Sequence, residues 1–333
     1  MKLAINSPFV QVYEGDALMT LRALPDDSVD CCVTSPPYWG LRDYGHADQI
    51  GLESSPFEYI EKMAAVFDEV RRVLKPSGTC WVVIGDSYAN GRTGNHSGTG
   101  GKNSAIPIRE EYLNGNVPRK TAGNLKLAGL KEKDLCGIPW RIAFALQERG
   151  WYLRQDIIWA KPNPMPESVT DRCTRSHEYV FMLTKRARYY YDAEAIMERA
   201  AYGDEHAAKA TSWGTNRKHP NKANVAKYAF AGENSTTHLV DGIYCRNKRD
   251  VWSIQTEPCA EAHFATFPTK LVELCIKAGC PPDGVVLDPF GGCGTTGEVA
   301  VKLGRRAVLV ELNAEYVEMI RKNLGLFALA ASE

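Results

Sequence analysis

The sequence predicts an open α/β fold with a mostly parallel central sheet, and three observations carry that prediction. Short apolar runs of strand length alternate with stretches whose apolar residues recur at helical spacing. One run, Val29-Asp30-Cys31-Cys32-Val33, stops at the corner Thr34-Ser35-Pro36-Pro37-Tyr38-Trp39. Another, Val285-Val286-Leu287, opens into the glycine-rich turn Asp288-Pro289-Phe290-Gly291-Gly292-Cys293-Gly294-Thr295-Thr296. Open α/β sheets take their ligands where strands end, so both stretches stand where chemistry is expected.

In chain order, Phe9 to Tyr13 reads as a strand and Ala17 to Leu24 as a helix ended by Pro25. Asp16, between them, suits either a helix N-cap or a ligand contact. Pro56 to Leu74 has apolar residues at Ile60, Met63, Ala64, Phe67, Val70 and Leu74, one face of a helix. Lys75-Pro76-Ser77-Gly78 reads as its terminating loop, and Thr79 to Ile84 as the next strand. Helices are expected near Ile138–Arg149, Phe267–Ala278, Thr296–Leu303 and Asn313–Asn323. Strands are expected at Tyr152–Trp159, Glu178–Leu183, Val285–Leu287 and Ala307–Val310, with a short edge strand at Tyr189–Tyr191.

Two stretches break the rhythm. Residues 85–129 hold nine glycines and few large apolar groups. A loop that long inside a domain is either functional, a mobile lid closing over a ligand, or a tolerated surface insertion. From Asp192 to Asp250 the pattern dissolves into polar residues with scattered aromatics. Between Glu205 and Asp250 eight Lys or Arg face four acids. Basic residues interleaved with aromatics suit a polyanion; a solvated insertion is the other reading.

Bulk properties exclude several classes. The chain has 333 residues, 44% apolar and 24% charged, with forty basic and forty acidic side chains. It is therefore no polycation, and no run is long enough to cross a bilayer. Met1 to Asn6 lacks the apolar core of a signal peptide, so the expected location is the cytoplasm. The ten cysteines contain no C-x-x-C pair, and adjacent Cys31 and Cys32 in a strand point to opposite faces. No metal site is expected, and the thiols read as small buried apolar groups.

The chemistry follows from the two turns. Neither Pro36 nor Pro37 donates to a ladder, so the chain leaves the sheet there. The Ser35 hydroxyl and Pro36 carbonyl project as acceptors beside the flat ring of Tyr38, an arrangement that can hold a planar heterocycle by its amino group. A strand-terminating or proline-rich interaction loop is the plainer reading. In the second turn glycines let backbone approach a ligand closely. Its spacing is neither that of a P-loop nor of a dinucleotide fingerprint. Glu311, ending the next strand, stands where an acid takes ribose hydroxyls. Together they indicate a nucleoside cofactor without pyrophosphate, which fits S-adenosylmethionine.

The pairing of Ser35-Pro36-Pro37-Tyr38 with Asp288 to Thr295 resembles the β-class DNA amino-methyltransferases. Two further blocks, Trp159 to Pro166 and His263 to Pro268, are similar to that family's and stand in its order. The resemblance implies a circularly permuted, Rossmann-like methyltransferase fold. Its catalytic part would be residues 1–191 (with a mobile loop at 85–129), its target-recognition region 192–250 and its cofactor part 251–333. It implies that Ser35, Pro36, Pro37 and Tyr38 bind the target base. Asp16, Phe264, Ala265, Thr266, Phe267, Asp288, Pro289, Phe290, Gly291, Gly294, Thr295, Thr296 and Glu311 would line the S-adenosylmethionine site. Lys161, Asn163, Arg172, Arg175, Arg217, Lys218, Lys222, Arg246, Lys248 and Arg249 are the expected contacts to double-stranded DNA. A homodimer is a further implication; an accompanying restriction endonuclease and an orphan role both stay open. An exocyclic amine in a duplex is out of reach, so the base must be flipped out, with Tyr38 stacking on it.

In the family, Ser at the first motif position goes more often with N4 of cytosine and Asp with N6 of adenine, so cytosine is expected and adenine is the alternative. A C5-cytosine reaction would need a cysteine nucleophile, and Cys259, in the one Pro-Cys pair, reads as structural. Outside this reading stand a DNA-binding regulator without activity and an RNA or protein methyltransferase.

Overall fold

The computed structural model describes residues 1–41, 46, 49–89, 129–200, 237–240, 243–257 and 267–330. It divides into two compact units, Met1–Tyr190 with Val251–Glu333, and Tyr191–Asp250.

The larger unit is built on one nine-stranded sheet. Its strands are β1 (Lys2–Asn6), β2 (Val10–Glu14), β3 (Val29–Thr34), β4 (Leu74–Ile84), β5 (Tyr152–Ala160), β6 (His177–Thr184), β10 (Val251–Ser253), β11 (Val285–Asp288) and β12 (Arg306–Glu311). They lie in the order β1-β2-β12-β11-β3-β4-β6-β5-β10. From β2 to β4 every neighbouring pair is parallel. β6 runs antiparallel to both β4 and β5, and β1 is an antiparallel edge on β2. Permutation is visible in the pairing itself: Ala307 and Val10 are partners, so the last strand of the chain seats beside one of the first.

Helices α1 (Ala17–Ala23), α2 (Pro56–Val73), α3 (Ile138–Glu148), α4 (Thr269–Gly279), α5 (Thr295–Lys302) and α6 (Ala314–Ala330) cover the sheet. α1, α2 and α3 share one core with Cys32, Cys80, Val82 and Ile84. The alternate residue Trp81 faces α4 instead, consistent with the strand period of two. All six residues of β3 are buried, as expected of a parallel strand covered on both faces. Ser55 caps α2 by accepting from the Glu58 amide at 3.2 Å, and Pro56 fills the first turn.

Several sequence expectations are corrected. β1 and β10 were not anticipated, because each is short and lies at a sheet edge. Lys75–Gly78 is not a loop: β4 starts at Leu74, pairing Val29 with Leu74 before a register shift admits the proline. A Cβ at Gly78 would lie 2.5 Å from Leu74 Cγ, so this glycine belongs to close packing. Tyr189–Tyr191 forms no strand; the Tyr190 amide donates to the Ser77 carbonyl at 2.8 Å. The last helix runs past Asn323 to Ala330.

The smaller unit is not patternless. β7 (Glu198–Arg199), β8 (Thr237–Val240) and β9 (Ile243–Arg246) form an antiparallel sheet in the order β7-β9-β8. Most of 85–129, the cysteine Cys259 and the 201–236 stretch lie outside the described residues.

α4 is locked to the sheet by a short hydrogen-bond chain. Trp81 Nε1 donates to Thr79 Oγ1 at 3.0 Å, and that hydroxyl donates to the Gly279 carbonyl at 3.0 Å. A Cβ at Gly279 would sit 2.2 Å from Thr79 Oγ1 and 2.4 Å from Trp81 Nε1. Gly279→Ala is therefore expected to lower stability by about 1–3 kcal/mol through overpacking, measured by urea unfolding; an unchanged midpoint would refute this packing.

Candidate active site

A cavity of about 280 Å³ opens at the edge of the sheet where β3, β11 and β12 end. Ser35, Pro36, Pro37 and Tyr38 line one wall, and Pro289 to Cys293 with Glu311 line another. The two turns are neighbours because β3 and β11 are paired, Val286 opposite Cys31 and Leu287 opposite Cys32.

Asp288 is the joint between them. Its carboxylate accepts from Thr34 Oγ1 at 2.6 Å, from Thr296 Oγ1 at 2.7 Å and from the Phe290 amide at 3.0 Å. Burial pushes this carboxyl up to about 6, against the pull of those three donors. Asp288, Gly294 and Thr296, expected at the ligand site, are not among the residues lining the cavity: the Asp288 and Thr296 side chains are buried. Gly294 instead starts α5 in a left-handed conformation at φ 91°, where a Cβ would also press within 3.1 Å of Ile320.

Glu311 fixes the glycine turn from the neighbouring strand. Its Oε2 accepts from the Gly292 amide and its Oε1 from the Asn313 amide, both at 2.8 Å. Burial raises this carboxyl to about 7, although both amide bonds favour the charged form. Each oxygen keeps a further lone pair for a hydroxyl donor. Asp16 lines the cavity, and its Oδ1 caps α1 by accepting from the Met19 amide at 2.8 Å. Phe267, Pro289, Phe290, Gly291 and Thr295 also line it. Phe264, Ala265 and Thr266 lie outside the described residues.

On the other wall, the Pro37 carbonyl is taken by Tyr59 Oη at 2.7 Å. Among the described residues no donor reaches the Pro36 carbonyl. Tyr38 Oη donates to Glu178 Oε2 at 2.7 Å. Burial drives the phenol well above its ordinary pKa, the Glu178 charge adds to this, and the Ser35 hydroxyl opposes it.

The expected DNA contacts divide. Lys161 lines the cavity, ion-paired with Glu178 and 4.2 Å over the Trp159 ring. Asn163 is held by backbone, its Oδ1 accepting from the Thr256 amide at 3.0 Å. Arg172 pairs with Glu167 at 2.7 Å and stacks 4.0 Å over Tyr88. The Arg175 guanidinium donates to the Asp86 carbonyl. These last three are tied into the protein, and the structure does not present them as free phosphate ligands. In the smaller unit Arg246, Lys248 and Arg249 all turn onto Glu198, at 3.0, 3.3 and 2.5 Å. Burial opposes ionisation of that carboxyl, and the three cations together hold it below its usual range. Arg217, Lys218 and Lys222 lie outside the described residues.

Sequence reasoning missed Glu178 altogether as a site residue. It lies on β6, and the signal was available: a carboxylate at the head of an apolar strand run has to be solvated or paired.

Comparison with known proteins bears on the same residues. A family model described as a DNA methylase, of the N6/N4 type, matches residues 29–322. The chain is 47% identical over 308 residues to the Type II methyltransferase M.Cfr9I of Citrobacter freundii, covering 92% of this chain and 85% of that protein. It is 43% identical over 323 residues to the Type II methyltransferase M.SmaI of Serratia marcescens, covering 97% and 93%. Among solved structures it superposes on PvuII DNA methyltransferase (cytosine-N4-specific) with a TM-score of 0.61 at 19% identity, over 97% of this chain and 88% of that one. That last likeness shows a shared fold.

A test of the Glu311 environment follows. A carboxyl with a pKa near 7 is mostly protonated at pH 6 and mostly ionised at pH 8. A ligand whose hydroxyls donate to it prefers the charged form and lowers that pKa, so affinity rises with pH, by at most about tenfold per unit. Calorimetric titration with S-adenosylhomocysteine is expected to tighten from pH 6 to 8 in the native chain and to stay flat in Glu311→Gln. Equal slopes in both would remove Glu311 from the ligand contacts.

Proposed function

The chain belongs to the N6/N4 DNA methylase family, and from that premise we propose that it methylates the exocyclic N4 of cytosine in duplex DNA, with S-adenosylmethionine as methyl donor. The observation that carries this reading is the single cavity shared by the Ser35–Tyr38 corner and the Gly291–Glu311 wall.

The residues present suit the donor. Glu311 offers spare lone pairs to a diol. Gly291 seats the turn closely on β12: a Cβ there would meet Leu309 Cβ and the Val310 carbonyl at 3.3 Å. Phe267, Phe290 and Leu312 supply apolar wall. Bound there, S-adenosylmethionine supplies an electrophilic methyl group on a sulfonium.

The protein's own part is to prepare the nucleophile. An aromatic amine is weakly nucleophilic because its lone pair is delocalised into the ring. Ser35 Oγ and the Pro36 carbonyl accept its two hydrogens and favour a pyramidal nitrogen, whose lone pair then points along the line of attack. The N–C bond forms as the S–C bond breaks, and the nitrogen sheds a proton to water. Positioning and fixed dipoles provide the acceleration, with no covalent enzyme intermediate. The base enters by extrusion from the helix, and Tyr38 stacks on it.

Ser35 at the head of the motif favours cytosine over adenine; both amines fit the same two acceptors. The unit from Tyr191 to Asp250 is the proposed reader of sequence, with Arg246, Lys248 and Arg249 as phosphate contacts; Arg217, Lys218 and Lys222 are proposed for the same role. We further propose a cytoplasmic homodimer partnered in its host by a restriction endonuclease, in line with the Type II naming of its relatives.

Nucleoside mass spectrometry of DNA from expressing cells tests the reading. N4-methylcytosine is expected; N6-methyladenine alone would replace the base assigned here. Neither product, together with no thermal stabilisation by excess S-adenosylhomocysteine, would leave a binding protein without activity.

A further inference from the structure

Four side chains form a series along the base-facing wall of the cavity. Lys161 lies over Trp159, pairs with one oxygen of Glu178, and the other oxygen of Glu178 accepts from Tyr38 Oη at 2.7 Å. All four line the cavity. The side chains of Lys161 and Glu178 are 17% and 15% exposed, so the pair sits where charge is poorly screened.

Topology explains how Glu178 arrives there. The parallel strands β3 and β4 deliver their carboxyl ends to this edge, but β6 is antiparallel to β4 and brings its amino end. Glu178 stands opposite Trp159 on β5, and the Lys161 amide donates to the Ser176 carbonyl at 2.7 Å. One reversed strand thus puts a carboxylate against a residue of the catalytic corner 140 positions earlier.

The ring is tethered at its tip. A phenol oxygen lies on the axis about which its ring spins, so a tether at Oη sets where the ring points and leaves its spin free. Gly85 leaves room for both groups: a Cβ there would come within 2.9 Å of Tyr38 Cε2 and 3.2 Å of Glu178 Cγ and Cδ. Only a backbone without a side chain lets the ring and the carboxylate meet at this place.

We propose that Glu178 is the positioning residue of the methyl transfer: it holds the tip of the Tyr38 ring, and so the direction in which the ring points, where it meets the extruded base, with Lys161 balancing its charge. The inference rests on the methyltransferase reading above. A ring free to swing would still admit DNA and the methyl donor, but it would leave the amine off the line of attack. The loss therefore falls on kcat, whereas binding is spared.

The test uses the full chain with duplex substrate and four variants: Tyr38→Phe, Glu178→Leu, Glu178→Gln and the double Tyr38→Phe/Glu178→Leu. Tyr38→Phe and Glu178→Leu are each expected to lower kcat by about tenfold to a hundredfold, with KM for DNA and affinity for S-adenosylhomocysteine near those of the native chain. The double variant is expected to be no slower than the worse single one, because both remove the same tether. Glu178→Gln keeps an acceptor for the phenol and is expected to recover most of the loss. Multiplying losses in the double variant, or a glutamine variant as slow as the leucine one, would overturn the role. A weakened cofactor affinity in Glu178→Leu would overturn it too, by assigning the residue to the fold. A native chain that methylates no DNA would instead fail the functional reading, and the two failures are separable.

Discussion

The carboxylate of Asp288 holds the site together. It accepts from the hydroxyl of Thr34, 254 positions away, from the Phe290 amide that begins the glycine turn and from the Thr296 hydroxyl beyond its end. Nothing in the parallel ladder alone brings the ends of β3 and β11 to one level, because that ladder stops at Leu287 opposite Cys32. Beyond it the two chains part, one into Ser35-Pro36-Pro37-Tyr38 and the other into Pro289-Phe290-Gly291. The Asp288 bonds cross the gap where the ladder has ended. A buried carboxylate is costly unless its oxygens are satisfied, and here three donors converge on it. The cavity owes its shape to that convergence.

From this joint the division of labour follows the sheet. β12 contributes Glu311, which pins Gly292 and leaves lone pairs toward the cavity. β3 contributes the corner, with a Pro36 carbonyl that no donor reaches among the described residues. β6, the reversed strand, contributes Glu178. The permuted chain order has little physical consequence, since β2 and β12 pair as neighbours whichever end of the chain they come from. What matters is that all these strands finish at one edge, where backbone groups point outward and no ladder consumes them.

Much of this was legible in the residues. Apolar runs and helical spacing located every long element, since burial on both faces leaves a plain imprint on β3 and on the sheet-facing side of α2. The two turns were legible because proline and glycine restrict or free the backbone whatever surrounds them. Edge strands β1 and β10 were not, having too few buried positions to show a period. β8 and β9 did carry a signal: Asp241-Gly242 between them is the preferred two-residue hairpin link. The prolines and glycines of Leu74–Gly78 misled, because a register shift can absorb what propensity forbids. Side-chain roles were the harder part. Asp288 looks like a ligand contact from its place in a motif, yet it faces inward. Lys161 and Arg175 look like phosphate contacts from their charge, yet each has an internal partner that only the folded sheet supplies. Glu178 went unnoticed because the direction of β6 is a property of topology, and no local pattern states it.

The proposed transfer depends on two turns carried by paired strands. A crystal structure of the full chain with sinefungin and substrate duplex measures this most directly. The ribose oxygens are expected at hydrogen-bonding distance from Glu311, and the extruded base amine between Ser35 Oγ and the Pro36 carbonyl, about 3–3.5 Å from the position of the donated carbon. A nucleoside seated away from the Gly291–Glu311 wall, or a target base still stacked in its helix in a complex that turns over, would contradict it.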